Sequence, residues 1–148
     1  MSDDVTRPGT AIRQVSPPAL APGPGYSHVI CVDAPGRLVV ISGQVPLDAG
    51  GALVGPGDLA AQTRQVFTNL RAALEAAGAG WEHVIKLGYF VRDARQVTTV
   101  RAVRDEFLPA GIAPASTLVE VSALFRDDLL IEIEALAALP ASPVSTPA

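Results

Sequence analysis

The sequence predicts an α+β domain: a mixed β-sheet with two helices packed on one of its faces, in the order β-β-β-α-β-α-β-β. Three observations predict it. Leu59, Val66, Leu70, Ala73, Leu74 and Ala77 recur at helical spacing, and so do Val97, Val100, Val103 and Phe107. Around these stretches lie short runs rich in Val, Ile and Leu, several of which alternate apolar and polar residues with the period of a half-buried strand. A length of 148 residues suits one domain with a real core.

In chain order, residues 1–11 are polar with Pro and Gly and are expected to be disordered. The single domain is expected to span 12–139. Ile12–Val15 reads as a short strand, followed by a loop stiffened by Pro17, Pro18, Pro22 and Pro24 that delivers Tyr26. Tyr26–Val32 and Leu38–Ser42 read as strands joined by the turn Asp33-Ala34-Pro35-Gly36. After the glycine-rich loop 48–57, Asp58 is placed to N-cap the first helix and Gly78 to stop it. Val84–Val91 is the next strand. Asp93 with Gln96 gives a capping-box-like start to the second helix, which Pro109 and Gly111 close. Pro114–Val121 and Leu130–Ala135 then alternate apolar and polar residues with period two and, with the polar turn Phe125–Asp128 between them, read as a hairpin. Residues 140–148 form a Pro/Ala/Ser tail expected to be disordered.

Composition narrows the function. The chain is 49% apolar and only 18% charged, against roughly 25% charged in typical domains. The second sheet face therefore needs a cover, which a homo-oligomer would supply. A net charge of −4 speaks against a nucleic-acid surface, although Arg92, Arg95, Arg101 and Arg104 cluster. Cys31 is the only cysteine, so no internal disulfide forms, and it reads as a buried strand residue. No run is long and apolar enough to span a bilayer, and the acidic start lacks a signal-peptide pattern, so a cytoplasmic location without membrane contact is expected.

His28 and His83 lack metal-ligand spacing, so no metal site is expected. Ser42 sits in no nucleophile elbow. Glu120, Glu132 and Glu134 form either a solvated outer face or the wall of a cleft. For Glu120 to join the other two, the loop between the strands needs odd length or a bulge.

Pro114-Ala115-Ser116-Thr117-Leu118-Val119-Glu120-Val121, followed by Ile131-Glu132-Ile133-Glu134-Ala135-Leu136-Ala137, resembles the C-terminal signature of the RidA/YjgF family of imine and enamine deaminases. Gly25-Tyr26-Ser27, Ser42-Gly43-Gln44-Val45-Pro46, Gln62-Thr63, Asn69-Leu70 and Val84-Ile85-Lys86 extend the resemblance over most of the chain. It implies a chorismate-mutase-like fold, a homotrimer with ligand clefts between subunits, and hydrolysis of an imine or enamine to a carbonyl compound and ammonia without a cofactor. It also implies a small-molecule metabolite as the partner, Tyr26 as a cleft residue and Glu132 as the group that positions or activates water.

The chain departs from the pattern at the substrate anchor. The family reads Pro-Ala-Arg-Ser where Ser116 replaces the arginine, its cysteine is Leu118, and Arg101 stands where an asparagine is usual. A cation lost at Ser116 and gained at Arg101 points to a carboxylate anchor moved from strand to helix. The alternative places Arg101 with Arg104 on the solvated helix face and leaves Ser116 and Thr117 as hydroxyl donors to a neutral or larger ligand. The expected site is therefore Glu132 and Tyr26 as catalytic residues, with Arg101, Ser116 and Thr117 binding substrate. The rivals are a binding member without turnover, an enzyme for a substrate lacking a carboxylate and, with least support, an RNA-cleaving enzyme.

Overall fold

The computed structural model describes residues 4–21 and 24–141. Strands β1 (Val5–Thr6), β2 (Ile12–Val15) and β3 (Val29–Val32) form a small antiparallel sheet. The main sheet holds β4 (Pro35–Gln44), β5 (Val84–Val91), β6 (Ala115–Glu120) and β7 (Ile131–Pro140) in the order β4-β7-β5-β6. Helices α1 (Leu59–Ala76) and α2 (Val97–Phe107) cover one face of it. The mixed α+β architecture with two helices is as expected.

Local chemistry fixes the helix ends. The Asp58 carboxylate accepts from the Ala61 N–H at 3.0 Å and starts α1. Gly78, at φ +72°, supplies the left-handed residue that ends it. Asp93 accepts from the Arg95 N–H at 3.0 Å and opens a short 3₁₀ turn, Ala94–Gln96, from which α2 continues. The core lies between helices and sheet. Phe67 stacks on Phe107 at 5.3 Å, Val66 and Leu70 are fully buried, and Leu87, Val91, Ile131 and Ile133 meet them from the strands.

Three expectations are corrected. Strands β6 and β7 are not a hairpin. β6 runs parallel to β5 at the sheet edge, while β7 lies between β4 and β5. The cause is α2: a strand, a crossover helix and a second strand form a unit that brings its strands together parallel. Secondly, β3 and β4 belong to different sheets, with Ala34 at φ 46° in the turn between them.

Thirdly, the segment 1–11 is not disordered throughout. Val5–Thr6 pairs with β2, and Arg7 is only 1% exposed. Its guanidinium donates to the carbonyls of Glu82 and Val84 and to the Gln14 side chain. Burial lowers its pKa to about 10. The expected disordered tail lies, from residue 142 on, outside the described residues.

The sheet face away from the helices is open. Leu38 and Val40 are 60% and 71% exposed on β4, and Val119 is exposed on β6.

Candidate functional site

A cleft of about 210 Å³ opens between α2, the edge strand β6 and the loop before β3. Tyr26, Arg101, Arg104, Tyr89, Ser116 and Leu118 line it, with Val97 and Val100 as further apolar wall. Its volume falls below the roughly 300–1,000 Å³ of clefts for drug-sized ligands, so it suits a small metabolite.

Each wall has a local cause. The Ser27 N–H donates to the Pro114 carbonyl at 3.1 Å and its hydroxyl to the Ala113 carbonyl at 2.5 Å. These bonds clamp the Tyr26 loop to the chain entering β6, so Tyr26 shares the cleft with Ser116. Parallel pairing sets Leu87 beside Ser116 and Tyr89 beside Leu118, which puts all four on the helix-facing side. From above, α2 contributes Arg101 and Arg104, three residues apart and hence neighbours on one helical face.

Three of the expected residues, Tyr26, Arg101 and Ser116, are thus brought together. Thr117 is not: successive strand residues point to opposite faces, and Thr117 accepts a hydrogen bond from Lys86 Nζ at 2.6 Å away from the cleft. Glu132 is not part of it either. It pairs with Phe90, whereas Leu118 pairs with Tyr89, so Glu132 lies on the open face. There it covers Gly43, where an added Cβ would lie 1.9 Å from Glu132 Oε1. Glu120 accepts from the Ala94 N–H at 3.0 Å and supports the turn into α2. It shares no face with Glu132.

Two residues were missed. Arg104, expected on a solvated helix face, is only 9% exposed. The signal was present, because Arg104 lies four residues after Val100 and three before Phe107, on the buried stripe itself. Its Nε and Nη2 lie 2.9 Å from one carboxylate oxygen of Asp105. Gly25, at φ +73°, leaves room for it, since a Cβ there would lie 2.3 Å from Nη2. The other is Tyr89, 3% exposed, whose hydroxyl has no hydrogen-bond partner among the described residues. Burial pushes its pKa well above the usual phenol value, against the opposing pull of the Arg104 charge.

The cleft therefore offers two guanidiniums and hydroxyls from Tyr26, Tyr89 and Ser116 beside an aliphatic wall, and among the described residues no carboxylate lines it. Such a set binds a small anion with an apolar part. Among the described residues no group of three or more His, Cys, Asp or Glu could hold a metal ion. No described helix is long and apolar enough to cross a membrane.

Fold and cleft together define an α+β protein with a small cleft that two arginines line. Residues 16–139 match the family described as endoribonuclease L-PSP. A RutC family protein from Synechocystis sp., slr0709, is 37% identical over 123 residues, covering 82% of this chain and 93% of the relative. The 2-iminobutanoate/2-iminopropanoate deaminase of Escherichia coli K12 is 39% identical over 104 residues, covering 69% and 80%. Among solved structures, YyfB from Yersinia pestis, a protein of unknown function in the conserved Rid family, superposes with a TM-score of 0.82. It is 36% identical, covering 87% of this chain and 99% of that one. The chain belongs to the RidA/YjgF family.

Proposed function

We propose that the protein hydrolyses small 2-imino acids to 2-oxo acids and ammonia, with the substrate carboxylate held from α2 by Arg101. The observation that carries this reading is Arg101 lining the same cleft as Ser116, the position at which the family's anchoring arginine is absent. The deaminase name of the Escherichia coli relative supports the reaction class. In this reading water adds to the imine carbon and gives one proton to the nitrogen. The hydroxyl proton of that adduct then passes to the nitrogen as the carbon–nitrogen bond breaks, leaving the carbonyl and ammonia. Tyr26 and Ser116 orient the substrate by their hydroxyls.

The reading includes a homotrimer, with the exposed Leu38 and Val40 face covered by other copies. Glu132 lies on that face, so it serves as the base that activates water only at a cleft completed by a second copy. A cytoplasmic location belongs to the same reading.

The test generates imines in situ with an amino-acid oxidase and traps them with semicarbazide. Wild type is expected to accelerate hydrolysis, and Arg101→Ala and Glu132→Ala to lose at least tenfold. A carboxylate contact of this kind is worth roughly 2–5 kcal/mol. No acceleration on any imine would leave a binding protein, and acceleration confined to imines without a carboxylate would remove Arg101 from its role.

A further inference from the structure

We propose that Arg104 is a second ligand for the substrate carboxylate, alongside Arg101, and that Asp105 is a built-in competitor which holds Arg104 while the cleft is empty. The inference rests on the reading that the cleft takes a small carboxylate.

Arg101 and Arg104 stand three residues apart on one face of α2, and both line the cleft. Like charges at this spacing repel, and no carboxylate lies among the lining residues. A local conflict of this kind inside a cleft marks a place where a bound group resolves it. Arg101 takes part in no ion pair among the described residues.

Arg104 is satisfied on one edge only. Asp105 Oδ1 accepts from Nε and lies 2.9 Å from Nη2 as an ion pair, while Nη1 makes no hydrogen bond among the described residues. The Asp105 side chain is 66% exposed against 11% for Arg104, so the counter-ion sits at the rim and the cation inside. An exposed partner one residue away is weakly held and is free to turn to water when a better-placed carboxylate enters. Charge agrees: two guanidiniums less one Asp105 leave a single positive charge, which one carboxylate balances. The buried Tyr89 hydroxyl, unpartnered in the same cleft wall, is one more donor for that anion.

Binding of 2-oxobutanoate, the oxo acid that hydrolysis of 2-iminobutanoate yields, is measured calorimetrically on wild type, Arg101→Gln, Arg104→Gln, Asp105→Asn and the 104/105 double variant. Arg104→Gln is expected to weaken binding roughly tenfold or more. Asp105→Asn is expected to tighten it about threefold to tenfold by removing the competitor, an effect that vanishes in the double variant. Asp105 is exposed, so its variant stays informative even where Arg104→Gln fails to fold.

A purely structural ion pair gives the opposite result, with Asp105→Asn binding no tighter or more weakly than wild type, and that overturns the proposal. If Arg101→Gln abolishes binding while Asp105→Asn and Arg104→Gln match wild type, the functional reading stands and this inference falls. If neither wild type nor Asp105→Asn binds, both fall. Tighter binding of 2-oxoglutarate than of 2-oxobutanoate by wild type would also overturn it, since a second carboxylate would then occupy Arg104.

Discussion

At Tyr89 a phenol is buried without a partner for its hydroxyl among the described residues, a state that costs roughly 1–3 kcal/mol relative to a satisfied group. Tyr89→Phe keeps the ring, which packs near Phe67 at 6.4 Å, and removes only the oxygen. The variant is expected to be more stable than wild type by about 1 kcal/mol in urea denaturation. A loss of stability would show that the hydroxyl is satisfied in the free protein. Gly25 carries a related constraint. Ala at this position meets both an unfavourable φ and the Arg104 guanidinium. Gly25→Ala is expected to displace Arg104 and lower affinity for small 2-oxo acids by about tenfold, read in the same calorimetric titration. Residue-scale legibility was uneven. Ser116 and Thr117 are adjacent, so strand alternation alone separates the cleft residue from the one beneath it. Arg104 was hidden by its residue type, since an arginine on a helix is usually solvated.

Among the elements, α2 owes its start to Asp93. The hydrogen bond from Arg95, with a further one from Gln96, holds this carboxyl at a pKa of about 2, below its ordinary value of 3.8. A depressed carboxyl pKa contributes stability above the unfolded value that is lost as pH falls through the folded one. The stability gap between wild type and Asp93→Ala is therefore expected to be constant from pH 7 to about pH 5 and to close between about pH 4 and pH 2. Chemical denaturation across that range checks it, and a gap independent of pH would remove the charged cap. Element order was legible because periodicity and capping are local. Pairing was not: the alternation in 114–121 and 130–135 fits a hairpin and a separated pair equally well. Only the intervening order of β5, α2 and β6, a crossover unit, discriminates.

For the molecule as a whole, the open face is the main feature left for association. Leu38 and Val40 project from β4 at 60% and 71% exposure, and side chains of this kind are each worth about 1.5–3 kcal/mol when buried. Replacing both by Glu is expected to yield monomers by light scattering coupled to gel filtration, with the helix content unchanged. It is also expected to abolish imine hydrolysis, because Glu132 then faces water. Full activity in such a monomer would remove the second copy from the site. That apolar side chains would be left on an open face could be read from composition. Which residues present that face became visible only once the β4–β7 register was known.

The contacts of Arg7, Gln14 and Ser27 also bear on how the chain is made. Arg7 waits for the carbonyls of Glu82 and Val84, Gln14 for Gly111 and Ala113, and Ser27 for Ala113 and Pro114. These residues are therefore among the last to be secured, since partners so distant in sequence close late. Until the chain entering β6 has been made, the Tyr26 loop has nothing to clamp to. The cleft is completed only when β6, far downstream of Tyr26, comes within reach.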